Sequence, residues 1–568
     1  MKAHLAALVL LTAAVCSAQA QSIVGEWRGT LRAGPSELRL ALHVTKSPNG
    51  ALHATLDSLD QGSIGIPVSA IEVKDAHVNL EVAAVAGSYT GTIAADGTQI
   101  TGTWTQGGNS RPLVFTTPRE DKPVQPSELR GDWLGALHVN GVQLRLAFHL
   151  QSTVDGITGT MDSLDQNAKG FPIKSVALSG AEITIVLPMG KFQGKFDRAA
   201  IAIDGTWAQG GASLPLTLKP VKDPATLEVR RPQVPQKPYP YREEEVAYEN
   251  KSANIRLAGT ITIPEGKPPF AAVLLITGSG PQDRDESIMG HKPFLILADY
   301  LTRKGIAVLR VDDRGVGKSG GSMETSTMAD FATDVEAGIA YLKTRPEIDA
   351  HQIGLIGHSE GGVIAPMVAA RNPDVAFIVM LAGSGVPGDE LIVEQTLALN
   401  RAVGSPATAL KATEAEQRWF VALVKSEPDV SVLKSKLRER WTGKLPEARI
   451  NQELAVVSLP WYRYFVSYDP TPALRNVKCP VLAINGEKDL QVPPKENLAA
   501  IRKALEAGGN KNFETVELAG LNHLLQPATT GLPSEYGQIE ETMSPKALQT
   551  ISDWVLKQVG TTKTAALK

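Results

Sequence analysis

The sequence predicts a multidomain chain: two tandem all-β repeats, barrel- or sandwich-like, followed by a doubly wound, mostly parallel α/β domain carrying a helical cap. Three observations predict it. "GEWRGTL" (25–31) recurs as "GDWLGAL" (131–137), "ELRLALHV" (37–44) as "QLRLAFHL" (143–150), and "GTWTQGG" (102–108) as "GTWAQGG" (205–211). Beyond a proline-dense stretch the pattern changes to strands that are apolar throughout, alternating with helices, as a sheet covered on both faces requires. Between "AGSGVPG" and "CPVLAI" lie about ninety residues, far more than one strand-to-helix connection needs.

Each segment follows in order. Residues 1–20 read as a signal peptide: Lys2 and His4, an apolar run from Leu5 to Val15 too short to span a bilayer, then Ala18-Gln19-Ala20. Export to the periplasm or beyond is expected. Cys16 suggests a lipoprotein, but Val15 stands where a lipidation signal needs a small residue, so this is the lesser reading. Residues 21–118 and 127–219 form the two repeats, with a period of about 105 residues, the size of a small domain. Their short alternating runs, "AHVNLEV" and "GSYTGTI" among them, are split by turn residues and predict antiparallel sheets. Trp27 and Trp133 resemble the G-x-W opening of lipocalin-like barrels, where the indole belongs to the core.

A Pro-rich linker spans 220–242 and reads as a semi-rigid extended spacer. The α/β domain spans 243–560. In it "IRLAGTITIP" reads as a strand pair, "FAAVLLI" as a buried strand and "FLILADYLTRKG" as a helix closed by Gly305. The cap occupies 389–475, with helical periodicity in "DELIVEQTLALNRAVG", "ATEAEQRWFVALVKS" and "VSVLKSKLRERWTG".

Charge and cysteine content narrow the function. A net charge of −3 without a basic run supplies no attraction for nucleic acid. No mature segment approaches a membrane-spanning length. With the signal removed, Cys479 is the only cysteine, so no intramolecular disulfide is expected.

Two serines sit in a G-x-S-x-G pattern. Ser359, in "GLIGHSEGGVIAPMVAA", follows an apolar strand directly and opens a small-residue helix, as a nucleophile elbow demands. Ser319 lies in "DDRGVGKSGGSMETS", too polar and Gly-rich to start a helix, and reads as structural. The phosphate-loop reading of that stretch fails because Asp312 stands where the first glycine belongs.

A serine needs a base to take its proton and a third group to orient that base. Of the ten histidines only His523 follows Ser359, in a loop after the strand-like "FETVEL". Asp489, at the apex of the turn in "NGEKDLQVPP", is the preferred acid; Glu487 competes locally, and Asp469 precedes its strand and so belongs at the wrong end of the sheet. The oxyanion hole should use the backbone N–H of Glu360 and that of Ser279, with Gly280 next.

Five motifs, "GSGPQDRD", "DDRGVGKSGG", "GHSEGG", "NGEKDLQVPP" and "AGLNHL", appear in this order across 243–560. In them the chain resembles the α/β-hydrolase superfamily, and within it a bacterial serine esterase subfamily. The resemblance implies hydrolysis of a small-molecule carboxylic ester through an acyl-enzyme, without metal or cofactor. Serine aminopeptidases and acyl-peptide hydrolases share the elbow and the triad, so a peptidase is the alternative. A non-catalytic binding protein is a third reading, opposed by the intact set of three residues. "LPWYRYFVSYDP" gathers Trp461, Tyr462 and Phe465 as a substrate-pocket wall or as cap packing. The N-terminal repeats offer surface for a glycan, a lipid or a partner protein.

Overall fold

The computed structural model describes residues 23–565 except 34–35, 62, 118–122, 140–141, 155, 167 and 229. The expected signal segment, with Cys16, lies outside them. The chain forms two compact units, one running to Val124 and taking in Leu178–Ala181, the other holding Gln125–Ala177 and everything from Glu182 on.

The first repeat is one curled antiparallel sheet of nine strands. The strand Gly25–Ala33 pairs with Ser36–Lys46 on one side and with the last strand, Asn109–Thr116, on the other. Strict alternation in His77–Val82 puts Val78, Leu80 and Val82 on the buried face, where they meet Trp27, Leu42, Tyr89 and Phe115. The second repeat has nine strands in the same order. Its equivalences are atomic. Trp27 and Trp133 are both buried, and each indole N–H donates to a carbonyl four residues earlier, Ile23 at 2.7 Å and Leu129 at 2.8 Å. Arg39 grips Asp60 as Arg145 grips Asp165.

The α/β domain is built on eight strands: β1 (Tyr241–Asn250), β2 (Ile255–Pro264), β3 (Phe270–Ile276), β4 (Ala307–Val311), β5 (Ile348–His358), β6 (Val375–Leu381), β7 (Val481–Gly486) and β8 (Phe513–Leu518). Their order is β1-β2-β4-β3-β5-β6-β7-β8; β2 pairs antiparallel with β1 and with β4, and every later pair is parallel. "IRLAGTITIP" is therefore one ten-residue strand, β2, and not a strand pair. Gly259 within it marks a close approach: a Cβ there would lie 2.3 Å from the carbonyl oxygen of Arg310 on β4.

Helices cover both faces. On one face α1 (Pro293–Arg303) and α11 (Pro545–Ala565) bury Leu297, Leu301, Ile551 and Trp554 against the sheet. On the other, α2 (Met328–Lys343), α3 (Glu360–Ala369) and α10 (Pro494–Ala507) bury Val335, Ile339, Val368 and Ile501. Between β6 and β7 stand α4 (Gly388–Ala402), α5 (Ala407–Ser426), α6 (Val430–Trp441), α7 (Glu447–Val456) and α8 (Pro460–Ser467), then the short α9 (Thr471–Asn476). The cap has its own core, including Leu397, Phe420, Leu433, Leu437 and Leu454. Leu474 of α9 instead joins the core of the main sheet. Among the described residues no helix is long and apolar enough to cross a membrane.

The linker is anchored by side-chain hydrogen bonds to the segments beside it. The Arg231 guanidinium donates to the carbonyls of Met289, Gly537 and Ile539. The Gln233 side chain accepts from the Thr542 and Met543 N–H groups and donates to the Met543 carbonyl.

Candidate active site

The elbow is formed where β5 ends. Ser359 takes φ 53° and ψ −113°, a conformation that non-glycine residues rarely hold. The flanking glycines are dictated by proximity. A Cβ on Gly357 would lie 2.0 Å from the Gly361 carbonyl oxygen, and one on Gly361 would lie 2.2 Å from that of Ile276. Strand and helix can therefore pass close enough to lift the serine to the carboxyl edge of the sheet. Glu360 is the first residue of α3, so its N–H belongs to the free donors of a helix start. The second G-x-S-x-G serine is structural, as expected: Ser319 is buried, its hydroxyl donates to the Asp312 carbonyl at 2.7 Å, and it accepts from the Ala258 N–H at 2.9 Å.

Asp489 and His523 meet. Asp489 is 2% exposed, and its Oδ2 lies 2.9 Å from Nδ1 of His523, itself 4% exposed. Asp489 Oδ1 accepts from the backbone N–H groups of Gln491 (2.9 Å) and Val492 (2.8 Å). The carboxylate is thus fixed by its own turn, and it leaves one oxygen for the imidazole. Glu487 turns elsewhere and accepts from the Gly520 N–H at 2.8 Å. Asp469 accepts from Thr471 N–H at the start of α9. The Ser359 hydroxyl and His523 are not hydrogen-bonded to each other among the described residues; a loose serine–histidine contact is common before substrate enters.

A buried network that the sequence reading did not find joins the three segments. His358 places Nδ1 2.9 Å from Glu286 Oε1 and Nε2 3.0 Å from the carbonyl oxygen of His523. The His523 carbonyl can only accept, and with Glu286 ionised both ring nitrogens donate, an arrangement that favours the charged ring. Burial opposes that charge, but the Glu286 carboxylate and the two hydrogen bonds outweigh it and raise the His358 pKa. Glu286 Oε1 also accepts from the Gly278 N–H at 2.7 Å. The loop after β3, the elbow and the His523 loop are therefore tied to one ion pair. Beside it, Thr277 donates to Asp313 at 2.7 Å, and burial pushes the Asp313 carboxyl up to about 7. Replacing His358 by alanine is expected to lower kcat/KM by about 10- to 100-fold, because the His523 loop loses its tether and small misplacements of reacting groups cost that much. Steady-state kinetics on a chromogenic ester, with circular dichroism to verify folding, check it.

A cavity of about 940 Å³ lies over the elbow. Ser279, Ser359 and Glu360 line it, and so do Trp461, Tyr462 and Phe465 from the cap. Trp461 and Phe465 stack with their rings 6.0 Å apart and 19° between planes. Gly280 and His523 are not among the lining residues. Glu416, Lys444, Arg449 and Glu453 also line the cavity.

The chain is similar in part to several known proteins. A family model described as "Serine aminopeptidase, S33" matches residues 292–445, a span that includes the elbow and ends before Asp489 and His523. The chain is 27% identical to Esterase EstD of Thermotoga maritima over 319 residues, covering 55% of this chain and 68% of that one. It is 26% identical over 268 residues to an uncharacterized 31.7 kDa Escherichia coli protein encoded between traX and finO, covering 46% of this chain and 87% of that one. Among solved structures, the Pyrococcus furiosus esterase Pf2001 aligns with a TM-score of 0.34 at 19% identity, over 51% of this chain and 88% of its own. Est1E of Butyrivibrio proteoclasticus, solved with ferulic acid bound, aligns with a TM-score of 0.33 at 18% identity, over 56% of this chain and 99% of its own. The strand order β1-β2-β4-β3-β5-β6-β7-β8, the serine elbow after β5, the match to the family model and the similarity to Esterase EstD together support an enzyme of α/β-hydrolase type.

Proposed function

We propose that this protein is a serine esterase acting on small carboxylic esters with Ser359, His523 and Asp489 as its triad. The observation that carries the reading is the buried Asp489–His523 pair at the same sheet edge as a strained serine that lines a largely apolar cavity. Similarity to an esterase over more than half the chain supports the choice of substrate class. In the mechanism, His523 Nε2 takes the Ser359 proton as Oγ attacks the acyl carbonyl. The oxyanion is received by the N–H groups of Glu360 and Ser279, with Gly280 the next donor along the loop. His523 passes the proton to the departing alkoxide, and the ester C–O bond breaks. Water, deprotonated by the same imidazole, then attacks the acyl-enzyme and releases the acid. Asp489 holds the tautomer in which Nδ1 carries hydrogen. With residues 1–20 read as an export signal, the reaction takes place in the periplasm or outside the cell.

The cap suits an acyl chain lying along Trp461, Tyr462 and Phe465. A second reading, an aminopeptidase, is favoured by the description of the matching family model. A panel of p-nitrophenyl esters of increasing chain length beside aminoacyl-p-nitroanilides separates the two. We expect ester turnover whose kcat/KM rises by up to about fourfold per methylene while the chain follows the apolar wall, the equivalent of about 0.8 kcal/mol per buried CH₂. Faster turnover of anilides than of esters would select the peptidase.

A further inference from the structure

We propose that the side chain of Glu360 is a positioning residue for the hydrolysis described above, a neutral carboxylic acid that ties the cap to the nucleophile elbow through Trp461. The inference rests on the serine-hydrolase reading of Ser359 and adds a role for a group that reading leaves unused. Glu360 is 4% exposed, directly after the nucleophile. Its Oε1 accepts from the Trp461 indole N–H at 2.7 Å, a bond from α3 to α8 of the cap. Its Oε2 is equally buried and has no hydrogen-bond partner. The residue lines the substrate cavity on one side and a small cavity of about 60 Å³ on the other.

A carboxylate in this position would be poorly compensated. One neutral N–H reaches it, and an ion buried without a counter-charge is disfavoured. The charged groups around it do not help: His358, at the end of β5, is held by Glu286. Asp313, beyond β4, shares the small cavity and is itself acidic. Asp312 is paired with Arg284. Arg314, the cation lining that cavity, is bound by Asp334 of α2. From the cap, Tyr462 is held neutral by burial, and on the far side of the elbow His523 belongs to Asp489. Burial first, and Asp313 second, push the Glu360 carboxyl up to about 8 against the opposing Trp461 bond. The acid is therefore protonated at neutral pH and ionises above about 8. Ionisation sets a negative charge on the residue whose own N–H receives the oxyanion, so it opposes the transition state.

The test measures the second-order rate at which a fluorophosphonate labels Ser359 from pH 5 to 10, in wild type, Glu360→Gln and Glu360→Ala. Fluorophosphonates develop an anionic phosphoryl oxygen during attack and report the elbow whatever the natural substrate. We expect the wild-type rate to fall at least tenfold above a midpoint near pH 8 and the fall to vanish in Glu360→Gln. At pH 7 the Ala variant, which leaves Trp461 without its acceptor, should label about tenfold more slowly than the Gln variant. A second measurement needs no catalysis. Because the folded-state pKa is raised, the wild type loses stability as pH rises from the ordinary carboxyl range to about 8, so the Tm of Glu360→Gln relative to wild type should climb across that window and then level. An alkaline fall retained in Glu360→Gln, or a flat Tm difference, overturns the role of Glu360 and leaves the hydrolase reading standing. Wild type that never labels overturns the hydrolase reading, and the Tm difference still decides whether Glu360 is held neutral.

Discussion

Replacing Ser359 by alanine is expected to lower kcat for a p-nitrophenyl ester by about four to six orders of magnitude while leaving the fold intact. The loss is large because the remaining groups act only through the serine. In the proposed mechanism His523 then has no oxygen left to deprotonate, and the oxyanion donors stabilise an adduct that no longer forms. Folding should be indifferent, since the Ser359 side chain makes no capping bond at the start of α3. The backbone adds a sharper expectation. At φ 53° and ψ −113° any side chain is strained, and glycine is not. Ser359→Gly should therefore be equally inactive yet more stable than wild type by about 1 kcal/mol. Kinetics and thermal unfolding on both variants check this pair of outcomes. Ester turnover unchanged in Ser359→Ala would remove the residue from the mechanism.

The contrast between what the chain spells out and what only folding reveals follows from the range of the interactions. The two repeats were legible because the same residues recur in the same order, Trp27 and Trp133 among them; that each indole binds a carbonyl four residues earlier only the structure shows. The central strands were legible because a strand buried on both faces is apolar throughout, as in Val481–Gly486. The edge strand Tyr241–Asn250 was not. It is half exposed and carries "REEE", so its first residues merged with the polar linker. The reading of "IRLAGTITIP" as a strand pair failed because it is one continuous strand, in which Gly259 serves a close approach to Arg310. Ser359, Asp489 and His523 each sit in a local motif with a known geometric purpose. Glu286 and His358 have no such signature, although His358 lies inside "GHSEGG". Their roles come from contacts across 72 and 165 positions of chain, which no local pattern records.

Asp489→Asn is expected to lower kcat by about 10⁴-fold, and the geometry states why an isosteric change should cost so much. Asp489 Oδ1 accepts two backbone N–H groups, from Gln491 and Val492. In the asparagine variant the amide oxygen must occupy that position, because an NH₂ there would face two donors. The amide NH₂ is then forced toward His523 Nδ1, where the carboxylate oxygen stands at 2.9 Å in the wild type. A donor facing Nδ1 selects the tautomer with hydrogen on Nε2, and that nitrogen can no longer accept the serine proton. The imidazole would be correctly placed and chemically wrong. Glu487→Gln provides the control, since the Glu487 side chain accepts from the Gly520 N–H of the neighbouring loop and its replacement should change kcat by less than about threefold. A full loss in Glu487→Gln with Asp489→Asn near wild type would move the acid's role from Asp489 to Glu487, and comparable losses in the two variants would contradict the assignment of the role to Asp489 alone.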